Sequence, residues 1–295
     1  MTDIPNYEIF TKIEPLNKGW SSDKKFYIET RSGERRLLRV ADVAEYERKR
    51  TEFDMLRRVA ELGVPASRPV DFGMCDGGKS VYQLLTWIDG EDAETVLPTL
   101  SEAEQYALGI KAGELLQKIH SIPAPDGIEE WLVRFRRKIC GHLSGYNVQS
   151  EICEQAIRYL NENERLLERR PQTFNHGDYN PTNIILKPDG TLSAIDFCFV
   201  YGDPYWDFCA IPVGKDANPH YQTGLINGYF GSNPPEDLFP VLAYYFATDV
   251  LTRVSPDDEP EKYDIECLHI KNILRWFDNF NRVVPSWYLQ DKAGN

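Results

Sequence analysis

The sequence predicts an α+β protein in two parts, a β-rich first segment and a mainly helical second one. Three observations point there. Strand-like runs separated by glycine-containing turns occupy residues 1–87. Apolar positions at helical spacing dominate residues 88–295. A lone β-like pair, Thr182–Lys187 and Thr191–Phe197, interrupts the helical part around Pro188-Asp189-Gly190. The boundary is expected within residues 84–90.

Taken in order, Lys24–Thr30 and Arg35–Val40 read as strands around the turn Arg31-Ser32-Gly33-Glu34. Before them, Asn17-Lys18-Gly19-Trp20-Ser21-Ser22-Asp23 is a small polar turn. Its backbone N–H groups could lie over phosphates, although most such Gly-Ser stretches are only loops. A helix follows over about Val43–Leu62, with Phe53, Leu56 and Ala60 as its apolar stripe and Glu45–Lys49 as an i,i+4 ion pair. Glu52 falls at the edge of that stripe. A half-buried glutamate needs a cation, and Arg39 is a candidate; solvated charges are the plainer alternative. Gly73–Ser80 spells a P-loop, but a P-loop needs a helix after its lysine. Val81-Tyr82-Gln83-Leu84-Leu85 is β-rich instead, so Asp76-Gly77-Gly78 is expected to be a hairpin turn. Beyond Trp87, Ser101-Glu102-Ala103-Glu104 is a capping box that opens a helix running through Leu108, Leu115 and Ile119 to His120. Residues 126–170 are charged and helical, and 220–283 are helical again with a break at Pro234-Pro235.

Bulk properties exclude some functions. The 295 residues are 42% apolar, enough for a core, and no run of about 18 apolar residues is present to form a membrane span. The N-terminus lacks a basic and apolar leader, so a cytoplasmic location is expected. The six cysteines have neither zinc-site nor C-x-x-C spacing and are expected to be buried, reduced thiols. Net charge is −13, and its distribution is uneven. Residues 1–90 hold 15 acidic and 15 basic side chains; residues 91–295 hold 31 and 18. That argues against nucleic acid and anionic membrane as partners. It favours a cationic ligand on the second part, with simple solubility as the competing explanation.

The chemistry centres on His176-Gly177-Asp178-Tyr179-Asn180-Pro181-Thr182-Asn183 and Ile195-Asp196-Phe197. With Asp189-Gly190 as a two-residue loop, Pro188 pairs with Thr191 and Asn183 lies opposite Asp196, Cβ atoms about 5 Å apart. A hard cation such as Mg²⁺ could bridge that pair and take its other ligands from phosphate. Asp178, in the loop leading in, is placed to reach a substrate. Phosphoryl transfer needs such a set. Equally, Asp and Asn at the open end of a surface hairpin can be punctuation.

Together these segments resemble the aminoglycoside phosphotransferase family, which has a two-lobed protein-kinase-like fold. The resemblance covers nearly the whole chain, in family order: Gly19–Lys25, Leu37-Leu38-Arg39, Glu52 before Gly63-Val64-Pro65, Ile88-Asp89-Gly90, Leu116–His120 with Pro123, His176–Asn183, Ile195-Asp196-Phe197 and Gly202–Asp207. It implies Asp178 as the catalytic aspartate, Asn183 and Asp196 as Mg²⁺ ligands, and Asp207 as a structural carboxylate near a structural, neutral His176. It also implies the backbone of Thr86 and Ile88 at the purine, Ser21 and Ser22 over the phosphates, and Arg39 with Glu52 where the family has lysine and glutamate. Two departures stand out: Arg39 itself, and Cys198 where protein kinases carry glycine. Eleven positions separate Asp196 from Asp207, too few for a peptide-docking activation segment. The implied activity is transfer of the γ-phosphate of ATP or GTP to a hydroxyl of a small, cationic, aminoglycoside-like acceptor, in antibiotic resistance or in metabolism. A kinase for a macrolide, choline, homoserine or sugar, and an inactive nucleotide-binding scaffold, are the alternatives. Asp257, Asp258, Glu259 and Glu261 form an acidic run that could flank the acceptor or be a solvated loop.

Overall fold

A computed structural model describes residues 1–16, 23–143, 151–198, 200–253 and 259–290. The fold is α+β, and the chain divides into two units. The first is Met1–Glu91 with Ile185–Ile195; the second is Asp92–Ile184 with Asp196–Asn295. No described helix is long and apolar enough to cross a membrane.

In the first unit, β1 (Phe10–Leu16), β2 (Lys24–Thr30), β3 (Arg35–Asp42), β4 (Pro69–Cys75) and β5 (Ser80–Thr86) form one antiparallel sheet in the order β1-β2-β3-β5-β4. β1 had no strand signal because it carries Pro15 and two charged residues, Lys12 and Glu14, and buries no side chain fully. It sits at the sheet edge, where a missing N–H is tolerated. Ile28, Leu38, Val40, Cys75, Tyr82 and Leu84 pack as a buried cluster with Ile4.

The expected helix begins as a 3₁₀ turn, Val43–Glu45, capped by Asp42 Oδ1 accepting the Ala44 N–H at 2.8 Å. It continues as α1 (Tyr46–Glu61) and buries Lys49, Glu52, Phe53, Leu56 and Val59. Val59 therefore replaces Ala60 in the buried stripe. The expected Glu45–Lys49 pair is replaced as well: Arg48 meets Glu45, and Lys49 turns inward. The P-loop-like letters form the β4–β5 turn, with Asp76, Gly77 and Gly78 all at positive φ.

Two hairpins share one loop geometry, which at Pro188-Asp189-Gly190 differs from the expected two-residue loop. Thr30 N–H donates to Glu34 O, and Gly33 N–H to Thr30 O, both at 2.9 Å. Lys187 N–H donates to Thr191 O, and Gly190 N–H to Lys187 O, also at 2.9 Å. Gly33 and Gly190 lie at φ +81° and +76°. Each loop thus holds three residues, with a left-handed glycine last. Lys187, rather than Pro188, faces Thr191. The strands are short, β8 (Ile184–Leu186) and β9 (Leu192–Ala194), joined in a sheet with the two-residue β6 (Glu91–Asp92). Asn183 belongs to a 3₁₀ turn, Pro181–Asn183, and Asp196 is left-handed at φ 55°, so neither is a strand residue and the expected pairing of the two is not formed.

The second unit is built on helices α2 (Ala93–Val96), α3 (Glu102–His120), α4 (Trp131–Leu143), α5 (Glu151–Asn163), α6 (Pro219–Phe230), α7 (Leu238–Thr252) and α8 (Pro260–Trp276). The Ser101/Glu104 capping box is present. The Pro234-Pro235 break separates α6 from α7. α7 is buried nearly all round, as its sequence LFPVLAYYFATDVLT requires. α3 and α6 meet backbone to backbone. A Cβ added at Gly109 or Gly113 would stand 2.2 Å from Tyr221 O or Leu225 O. At Gly224 and Gly228 it would stand 2.3 and 2.2 Å from Tyr106 O and Ile110 O. Only glycine permits that approach, with room for Cα–H···O contacts. None of the six cysteines is in a disulfide; Cys75 and Cys209 are buried as expected, whereas Cys140 and Cys198 are exposed.

Candidate active site

The α3–α6 contact sets the first piece of the site. It brings His120, the last residue of α3, to Tyr229 of α6, whose hydroxyl lies 3.0 Å from His120 Nδ1. The other ring nitrogen, Nε2, lies 2.9 Å from Asp207 Oδ2. Both contacts are satisfied when Tyr229 donates to Nδ1 and Nε2–H donates to Asp207. Asp207, buried in the 3₁₀ segment Pro204–Cys209, also accepts the His176 N–H on Oδ2 at 2.7 Å and the Gly177 N–H on Oδ1 at 2.8 Å. One carboxylate thus fixes the backbone just before Asp178. The His176 ring is fully buried against Phe197, and its Nδ1 accepts the Asp178 N–H at 3.3 Å.

A second anchor holds the strand that leads in. β7 (Thr173–Asn175) pairs with β10 (Val200–Gly202), and Asn175 Nδ2 donates to Asp203 O at 2.7 Å. Asp203 is fully buried and accepts Arg170 Nε at 2.7 Å and the Tyr245 hydroxyl at 2.6 Å.

Asp178 is held by two amides. Asn180 Nδ2 donates to its Oδ1 at 2.7 Å, and Asn183 Nδ2 donates to its Oδ2 and to its backbone O, both at 2.9 Å. Asn180 Oδ1 also accepts the Thr182 N–H at 2.9 Å, which caps the 3₁₀ turn carrying Asn183. Because the amide nitrogen of Asn183 is committed to Asp178, its Oδ1 faces elsewhere and accepts no hydrogen bond among the described residues. That carbonyl oxygen and the Asp196 carboxylate are hard donors of the kind a divalent cation such as Mg²⁺ takes.

The β7–β10 ladder, and not the β8–β9 hairpin, brings Asp196 toward Asp178. It continues as Cys198 N–H to His176 O at 2.8 Å, so the two segments run side by side. Although Cys198 is exposed by surface area, crowding around its sulfur, then the charges of Asp178, Asp207 and Asp196, push the thiol up to about 11. Gly177, at φ +84°, is the residue that lets the strands close, since a Cβ there would lie 2.6 Å from Cys198 Cβ. Asp178 and Gly177 also line a cavity of about 120 Å³ with Trp206, Tyr245, Asp249 and Arg253.

In the first unit, Arg39 of β3 donates from Nε and Nη2 to Asp23 Oδ2, at 3.0 and 2.9 Å. Lys49 Nζ reaches the same oxygen at 2.7 Å and Glu52 Oε2 at 3.2 Å, while Arg48 Nη1 reaches Glu52 Oε1 at 3.0 Å. The sequence offered Arg39 to Glu52. The structure gives Glu52 two cations of its own helix, and gives Arg39 the carboxylate of Asp23. Burial pushes the Asp23 carboxyl up, but Lys49 and Arg39 outweigh it and hold it below the ordinary range. Thr86 ends β5, its N–H on Arg68 O at 2.9 Å; the Ile88 backbone makes no hydrogen bond among the described residues. Thr86 and Ile88 border a cavity of about 550 Å³ that Arg39 does not line. Ser21, Ser22, Asp257 and Asp258 lie outside the described residues, and Glu259 and Glu261 are exposed at the start of α8.

Sequence reasoning assigned no part in a functional site to His120, Tyr229, Asn180, Asp203, Asp23 or Lys49. A signal existed for Asp23 alone. With a three-residue loop at Arg31-Ser32-Gly33, Lys25 pairs with Arg39 and Asp23 falls diagonally on the same face.

A family model described as the phosphotransferase enzyme family (APH) matches residues 12–239. The chain belongs to this family. It is accordingly a phosphotransferase acting on hydroxyl groups of small molecules. Among similar solved structures, a choline/ethanolamine kinase family protein from Mesorhizobium loti matches with a TM-score of 0.66 and 16% identity, over 96% of this chain and 95% of that one. The gentamicin complex of APH(2'')-IIa matches with a TM-score of 0.58 and 17% identity, over 90% and 92%. Amicoumacin kinase hAmiN, solved with AMP-PNP and Ca²⁺, matches with a TM-score of 0.57 and 14% identity, over 92% and 90%. At these identities the likeness is one of fold. No curated protein matches the chain at a significant level.

Proposed function

We propose that this enzyme transfers the γ-phosphate of ATP or GTP to a hydroxyl of a cationic, aminoglycoside-like acceptor. The observation that carries the reading is the Asp178 carboxylate, clamped by two amides and bordering a cavity that also holds Trp206 and Asp249. Asp178 orients the acceptor hydroxyl and takes its proton as the oxygen attacks the γ-phosphorus. The bond from γ-phosphorus to the β–γ bridging oxygen breaks, and the nucleoside diphosphate leaves. Asn183 Oδ1 and Asp196 are the ligands for Mg²⁺, which when bound neutralises phosphate charge. Arg39 supplies further positive charge to the phosphates. Asp207 and His120 hold the loop so that Asp178 meets its substrate without reorganising. The excess of acid in residues 91–295, 31 acidic against 18 basic side chains, favours a polycation as acceptor.

The testing experiment is nucleotide turnover with Mg²⁺ and ATP or GTP against a panel of aminoglycoside, macrolide, choline, homoserine and sugar acceptors. Turnover on polycationic amino sugars is expected. Turnover confined to an uncharged acceptor would overturn the acceptor class, and nucleotide binding with no turnover on any acceptor would favour a scaffold.

A further inference from the structure

We propose that Asp23, and not Glu52, positions the Arg39 guanidinium for the nucleotide phosphates, with Lys49 as the counter-charge that stands between the two carboxylates. This rests on Arg39 as a phosphate-binding residue of the enzyme described above. Three observations carry it.

The guanidinium meets Asp23 through Nε and Nη2 on a single oxygen, at 3.0 and 2.9 Å. A planar fork held by two donors on one edge has its plane fixed, and with it the direction of its other donors. Lysine, a point charge on a flexible stem, would not be oriented this way.

The mounting is local to the sheet. Lys25 pairs with Arg39 across β2 and β3, and Asp23 stands two residues back on the same face. Arg39 lies on β3 and Asp23 lies one residue before β2. Glu52 is carried by α1 and is occupied by Arg48 and Lys49 of that helix. Arg39 is thus held from the sheet side through Asp23, whose carboxylate Lys49 of α1 also contacts.

The electrostatics are closed by Lys49. Its ammonium is buried and touches Asp23 at 2.7 Å and Glu52 at 3.2 Å, so two carboxylates share one cation without repelling each other. Asp23 Oδ1 is buried and accepts no hydrogen bond among the described residues.

The test is steady-state kinetics with nucleotide and acceptor varied separately. Asp23→Asn is expected to raise the nucleotide KM by about tenfold or more, with acceptor KM within about twofold. Glu52→Gln is expected to raise nucleotide KM by a smaller factor. In an Arg39→Ala background, Asp23→Asn is expected to add less than about twofold, because the effect passes through Arg39. A nucleotide KM unchanged in Asp23→Asn, or a full effect retained in the Arg39→Ala background, overturns the proposal. Should Asp23→Asn fail to fold, Asp23→Glu carries the test: charge and fold are kept while the guanidinium is displaced, so an unchanged nucleotide KM overturns the proposal equally. A wild-type enzyme that neither binds Mg²⁺-nucleotide nor turns it over sinks the kinase reading itself. A competent wild type with an indifferent Asp23 variant removes only the positioning role.

Discussion

Two buried polar clusters, one in each unit, solve the same problem in opposite ways. Around Asp207, a single carboxylate is matched by two backbone N–H groups and an imidazole. Both of its oxygens are occupied. Around Asp23, two carboxylates are matched by Arg39, Arg48 and Lys49, and one oxygen is left without a partner. Hydrogen bonds to backbone fix a loop in one geometry, because their direction is set by the chain. Ion pairs neutralise charge, and here the two-donor contact of Arg39 on Asp23 Oδ2 also sets the guanidinium plane. A loop that must present one carboxylate to an incoming hydroxyl suits the first design. A cation that must meet phosphate charge suits the second.

The contrast can be broken or sharpened by four measurements. The largest effect is expected at Asp178. Asp178→Asn should lower turnover by about 10²- to 10⁴-fold while nucleotide affinity, measured by calorimetry, stays near wild type. Full turnover would remove Asp178 from the chemistry. Next, Asp207→Ala leaves the His176 and Gly177 N–H groups and the His120 ring without their acceptor. A loss of about 3–5 kcal/mol in urea unfolding is expected, together with lost turnover. Stability near wild type would mean that the loop is held by something else.

A smaller effect is expected where helices touch. Gly113→Ala forces a methyl toward Leu225 O, and α3 and α6 must part to admit it. A cost of about 1–3 kcal/mol is expected, read as a lower melting temperature with reduced turnover, since His120 and Tyr229 separate. The smallest effect is one of pH. The Asp23 carboxyl is held below its ordinary value in the folded protein, so its contribution to stability is present above about pH 4 and is lost as pH falls through the folded value. The stability gap between wild type and Asp23→Asn should therefore narrow on acidification. A gap constant from pH 7 to pH 3 would contradict the ionised pair.

Much of this was legible beforehand. The α+β division, the strands β2 and β3, the capping box at Ser101, the false P-loop and the proline break are all local: each depends on residues within a turn or two of one another. The order of His176, Asp178, Asn183 and Asp196 along the chain was enough to point to phosphoryl transfer. The register of the hairpin at Asp189-Gly190 was not read correctly. Asp-Gly is a natural two-residue loop, but a left-handed glycine at the third position adds one residue. A slip of one places every side chain on the opposite face.

The sequence by itself determined which elements form and which side chains are available for chemistry, because backbone preference and apolar spacing act over short distances. Only the tertiary structure decided which groups meet. Asp23 rather than Glu52 holds Arg39, the β7–β10 ladder rather than the hairpin brings Asp196 toward Asp178, and four glycines far apart in sequence let α3 and α6 touch. Hydrogen bonds weaken within about an ångström of their optimum. Their partners are therefore set by strand register and helix packing, quantities that a linear pattern leaves open by one residue or more.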